Sequence, residues 1–117
     1  MGHLRHETMV ISDWDAKNVY KAHEAASAIF NAAGMGSIVG GVVRHAINGG
    51  AAFFIAPDGS KEGWGHSDDG SRARLDLISY LKTIGVDWAL ILLGGDDGEF
   101  GIIECSGEQS SPLPSPS

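Results

Sequence analysis

A single cysteine in 117 residues leaves Cys105 nothing within the chain to pair with. No internal disulfide staples the fold, and the composition suits a reducing compartment. No His or Asn stands in a recognisable relation to Cys105, so it reads as a small core residue at the end of a strand rather than a nucleophile. Long apolar runs are missing too. A membrane-spanning helix needs roughly 18 consecutive apolar residues. The nearest approach, "AIFNAAGMGSIVGGVV", is interrupted by Asn31 and by glycines 34, 36, 40 and 41. The opening "MGHLRHETMV" carries charges with no apolar stretch behind them, which excludes a secretory signal. These absences point to a cytoplasmic protein without a membrane segment. Residues 1–8 are expected to be a disordered leader or vector-derived, with Met9 opening the patterned part.

Positive charge is missing from the last third. From Thr83 to Ser117 there are six acids (Asp87, Asp96, Asp97, Glu99, Glu104 and Glu108) and no Lys or Arg. Of the 15 acids and 8 bases in the chain, nine acids and all eight bases lie before Thr83, so nearly all of the net charge of −7 belongs to the C-terminal third. That end would repel nucleic acid and anionic membranes and attract a basic partner. The competing explanation is an ordinary solubilising surface.

What is present is one domain's worth of patterned chain, 43% hydrophobic. Ser12-Asp-Trp-Asp resembles a capping box, with Ser12 as N-cap and Asp15 at the third helical position. The helix it opens, over 13–33, places Val19, Ala22, Ala26, Ile29, Phe30 and Ala33 on one face and ends at Gly34. Two β-rich runs, 37–47 and 51–56, flank Asn48-Gly49-Gly50, a strong hairpin signal. Glycines 40 and 41 suggest a bulge or a close approach within the first run. A polar loop, "PDGSKEGWGHSDDG" (57–70), precedes a second helix over 71–84, capped by Asp69 or Ser71 and ended by Gly85. Its inward residues are Ala73, Leu77, Ile78, Leu81 and Ile84. "VDWALILL" and "FGIIEC" are strands joined through 94–99, and the tail 108–117 is expected to be disordered. The order α-β-β-α-β-β reads as two copies of one helix–hairpin unit. It predicts an α+β domain over 9–107, with a four-stranded, mostly antiparallel sheet, two helices on one face and the other face open.

Catalytic chemistry is sparse. Gly94-Gly95-Asp96-Asp97 resembles the way metal-dependent polymerases and cyclases present carboxylates to Mg²⁺, and Asp13 and Asp15 in "VISDWDAKN" resemble a companion metal motif. A tight turn wants the same Asp-Gly residues without any catalysis, Asp13 and Asp15 suit a helix N-terminus, and no phosphate-gripping segment appears. The turn is the better reading, and no metal or cofactor is expected. His3 and His6 lie in the opening segment, His23 at a helix margin and His45 on a strand, while His66 has the most site-like surroundings, beside Asp68 and Asp69. None stands near a Ser or Cys on a nucleophile elbow. Trp64, between two glycines, is either a plug on the core edge or a recognition anchor. Trp14 and Trp88 read as packing residues.

The element order resembles roadblock and profilin-like modules, which implies a self-associating scaffold or homodimer. The profile of one small acidic domain with a polar loop is similar to phage-encoded anti-defence inhibitors of the anti-CRISPR kind and to bacterial immunity proteins. Many of those occlude basic, nucleic-acid-binding surfaces. The leading expectation is therefore a non-enzymatic protein-binding module that inhibits a nucleic-acid-processing partner through Asp87, Asp96, Asp97 and Glu99, with Trp64 as anchor and His66 beside it. It would bind no nucleic acid directly. A small metal-dependent nucleotide-processing enzyme and a self-associating scaffold are the alternatives. If residues 94–99 are only a turn, Mg²⁺ will not raise the melting temperature. A metal-dependent rise that Asp96→Ala abolishes, following RT ln(1 + [L]/Kd), would instead establish the enzyme.

Overall fold

The computed structural model describes residues 6–57, 65–93 and 100–107, and within them all side chains except those at 65–68 and 100. The element order is β1 (Glu7–Asp13), α1 (Ala16–Ala32), a single 3₁₀ turn (Gly36–Ile38), β2 (Val43–Arg44), β3 (Ala51–Ile55), α2 (Gly65–Ile84), β4 (Asp87–Leu93) and β5 (Phe100–Cys105). The α+β class is as expected, but the sheet has five strands among the described residues, in the order β2-β3-β1-β4-β5, every pair antiparallel. The additional strand is β1, and it is the central one.

This corrects the reading of the N-terminal stretch. "ETMVISD" alternates like a strand with one face buried: Met9, Ile11 and Asp13 are buried, while Val10 is exposed. Glu7 and Thr8 belong to that strand. Asp13 closes the strand rather than opening a helix, and Asp15, not Ser12, is the N-cap, its carboxylate accepting from the Lys17 backbone N–H at 3.0 Å.

Most of the other boundaries follow local chemistry. Asn48 and Gly49 both take positive φ, 76° and 74°, as a tight β2–β3 hairpin requires. Gly34 and Gly85 end the helices with φ of 78° and 73°. Val39 bridges Ile55 while Val43 pairs with Ala52, so one extra residue lies on the β2 side around Gly40 and Gly41, a bulge. It leaves β2 only two residues long. The close approach at Gly40 is to strand β3, whose Phe54 carbonyl accepts from its N–H at 2.9 Å. From the helix side, His23 Nε2 lies 2.9 Å from the Gly40 carbonyl, and its ring meets Phe53 edge-on. Helix α2 begins at Gly65, six residues before the expected start, so Asp69 and Ser71 lie inside it and do not cap it.

One core cluster unites Met9, Ile11, Phe53, Ile55, Trp88 and Leu90 of the sheet with Val19, Ala22, Ala26 and Phe30 of α1 and Ala73, Leu77, Ile78 and Leu81 of α2. The registers Met9↔Ile55, Met9↔Leu90, Ile11↔Phe53 and Ile11↔Trp88 put all six sheet residues on one face. At the edge of that face the Arg74 guanidinium, nearly buried, meets the Glu7 carboxylate at 3.1 Å and the Ser71 hydroxyl at 3.3 Å, tying α2 to the first residue of β1. Among the described residues no helix is long and apolar enough to cross a membrane. Because Ile11 is fully buried and Val10 is not, Ile11→Ala is expected to cost about 2–5 kcal/mol and Val10→Ala less than about 1 kcal/mol in urea unfolding. Equal costs would mean that the strand's faces are assigned wrongly.

Candidate functional site

Three elements converge at the end of the sheet where β1 gives way to α1. The strand runs out at Asp13, Trp14 follows, and Asp15 caps the helix. Asp13 is 7% exposed, and its Oδ2 accepts from the Asp15 backbone N–H at 3.1 Å and from Asn18 Nδ2 at 3.2 Å. That bracing fixes the turn, and the indole between the two carboxylates is left 80% exposed. The β2–β3 hairpin lies alongside, joined by a bond from the Ala16 N–H to the Gly49 carbonyl at 3.3 Å, and it carries Ile47, itself 74% exposed. Gly50 is required here by close approach: a Cβ would fall 2.5 Å from His45 Nδ1 and 2.7 Å from the Asp13 carbonyl oxygen.

On the adjacent outer sheet face, Ser12 Oγ donates to the Ala51 carbonyl at 3.3 Å and lies 3.5 Å from His45 Nε2. Asp87 is the cross-strand partner of Ser12 and is exposed. With Val10, Trp88 and Ala89 these two line a shallow hollow of about 210 Å³. The Ser12–His45 contact is at the limit of a hydrogen bond, the serine proton has a carbonyl acceptor, and the described residues place no carboxylate against the imidazole. Activation of Ser12 as a nucleophile is not supported by this geometry. The Asp13 and Asp15 carboxylates are each engaged by backbone or side-chain N–H groups of their own turn. Among the described residues no group of three or more His, Cys, Asp or Glu side chains is placed to hold a metal ion.

The sequence-derived candidates are dispersed. Trp64, Asp96, Asp97 and Glu99 lie outside the described residues, and His66 is placed by its backbone in the first turn of α2. Asp87 opens β4. Leu93, from which 94–99 departs, is at the other end of that strand, roughly 20 Å away at about 3.3 Å per residue. Cys105 is half-buried near the end of β5, its Sγ 3.9 Å from the Gly107 carbonyl.

The residue that sequence reasoning misplaced is Trp14. Trp14 and Trp88 both read as packing residues, in the core or between helix and sheet; Trp88 is one, 4% exposed, and Trp14 is not. The signal was available in Asp13-Trp14-Asp15, because an indole between two acids at a strand–helix turn has no apolar neighbour in sequence to share a core with. Trp14→Ala should therefore change stability by less than about 0.5 kcal/mol, whereas Trp88→Ala should cost about 3–5 kcal/mol. Comparable losses in denaturant titrations would place Trp14 in the core after all. No family model, curated protein or solved structure matches the chain.

Proposed function

We propose that this chain is a non-enzymatic, acidic protein-binding module of the cytoplasm, acting as an inhibitor of a nucleic-acid-processing partner by covering that partner's basic surface. One observation carries the reading: a braced, almost fully exposed indole at Trp14, set between Asp13 and Asp15. Tryptophan is enriched among the residues that dominate binding energies, and its face is the best aromatic acceptor for a guanidinium or ammonium group. Carboxylates beside such a ring favour cationic partners over anionic ones. The charge distribution supports the same direction, with six acids and no bases after Lys82.

In this reading Asp87, Asp96, Asp97 and Glu99 supply long-range attraction, and Trp14 joins Trp64 as an aromatic anchor, with His66 near the latter. The reading takes both helices to pack on one side of the sheet, which the single shared core cluster supports, and so leaves the turns and the outer face free to bind. The metal-dependent alternative rests on Asp96 and Asp97, which lie outside the described residues.

The test is surface plasmon resonance against the partner recovered by affinity capture from the native host. Trp14→Ala should raise the dissociation rate on the order of tenfold or more, as for a hot spot of about 2 kcal/mol. Asp87→Lys should mainly slow association, most at low salt, where the Debye length approaches about 30 Å. An acidic partner, or wild-type kinetics for both variants, would show that this end of the molecule is not the binding surface.

A further inference from the structure

The outer face of the sheet is a second apolar surface, separate from the Trp14 turn. Strand alternation and register place Val43 (β2), Phe54 (β3), Val10 (β1), Leu93 (β4) and Ile102 (β5) on it, one from each strand. All five are exposed, from 39% for Val10 to 68% for Val43. Phe54 stands directly opposite Val10, and Ile102 opposite Ile91, so the exposed residues form two neighbouring rows, with the buried Thr8 paired to Ile91 between them. With large side chains presenting on the order of 150–200 Å² each, these five leave about 450 Å² of apolar surface in water, comparable to the largest patch of a typical monomer. Among the strand residues described on this face, Asp87 alone is charged, and it sits at a corner beside Ser12.

We infer that this face takes a second copy of the chain, sheet against sheet about a two-fold axis near the Val10–Phe54 row. Charge selects the occupant. Among the described strand residues of this face a basic protein would find one carboxylate to pair with, although the chain carries a net charge of −7. Two copies are equally acidic, and a nearly uncharged face is where they meet without setting like charges against each other. Area agrees: the patch counted on both copies, with its rim, approaches the roughly 1,000 Å² at the low end of specific interfaces. That size makes a weak, concentration-dependent dimer. Two sheets stack about 10 Å apart with strands within about 30° of each other, which brings Phe54 of one copy over the middle strands of the other. A two-fold contact is self-complementary, so each substitution acts twice.

The experiment is sedimentation velocity on the full chain over a concentration series, with circular dichroism as a check on folding. The wild type should dimerise with a Kd on the order of 10–100 μM. Phe54→Lys should weaken that at least about tenfold, because it sets two ammonium groups against the opposing apolar face. If that variant does not fold, Phe54→Thr, which keeps a strand-forming residue, should give the same direction. Raising salt from about 0.05 to about 0.5 M should leave the dimer unchanged or tighter, since screening removes repulsion between acidic copies. A wild type that stays monomeric at about 0.5 mM overturns the inference. So does a dimer that survives Phe54→Lys, because pairing through the β5 edge, three strands from Phe54, would be untouched by it. Self-association that salt dissolves also overturns it, since that behaviour belongs to charge pairing.

Discussion

The backbone of Glu7–Asp13 hydrogen-bonds to β3 on one side and to β4 on the other, and the rest of the molecule is arranged around that double pairing. A strand paired on both edges has its two faces fixed, because a one-residue slip would send Met9 and Ile11 to the outer face and Val10 inward. With register fixed, Ile11 stands between Phe53 and Trp88, and Met9 between Ile55 and Leu90. The helix stripes of α1 and α2 close over those six side chains to complete one core. The Arg74–Glu7 ion pair bears on the same constraint, tying the beginning of the central strand to α2. Removing one partner from so enclosed a pair is costlier than the pair's net contribution suggests.

The sheet face turned away from Met9, Ile11 and Trp88 carries an exposed apolar side chain on each of the five strands. Antiparallel sheets with one solvated face usually alternate apolar and polar residues. Val10, Phe54 and Ile102 break that rule while Ser12 and Asp87 keep it. The outer face and the Trp14 turn meet near Ser12 but differ in chemistry. One is extended and nearly uncharged; the other is a single indole between carboxylates. If the first takes a second copy and the second a basic partner, occupancy of each would respond to salt in the opposite sense.

The hairpin at Asn48-Gly49, the stops at Gly34 and Gly85, the two amphipathic helices and the strands of "VDWALILL" and "FGIIEC" were legible because each is dictated by residues a few positions apart. Left-handed φ needs glycine or asparagine, and helix burial repeats every three or four residues. Of the candidate site, the acidity of the last third was legible as plain composition, as was the exposure of Asp87 at a strand start. The central strand was not. The strand is only seven residues long, its first two residues continue a charged stretch, and Ser12-Asp-Trp-Asp offers local hydrogen bonds that imitate a helix cap. The competing strand conformation is stabilised by β3 and β4, which lie about forty and eighty residues away in the chain.

Trp14 and Phe54 show the same division from the functional side. Sequence alone established which residues are apolar, where the chain turns, and that charge accumulates toward the C-terminus. Only tertiary structure decided which apolar residues find partners. Burial is a property of three-dimensional neighbours: Trp88 and Trp14 have equal hydrophobicity, yet the first lies in the core cluster beside Ile11 of β1, while Asp13, bonded to the Asp15 backbone and Asn18, holds the turn that leaves the second in water.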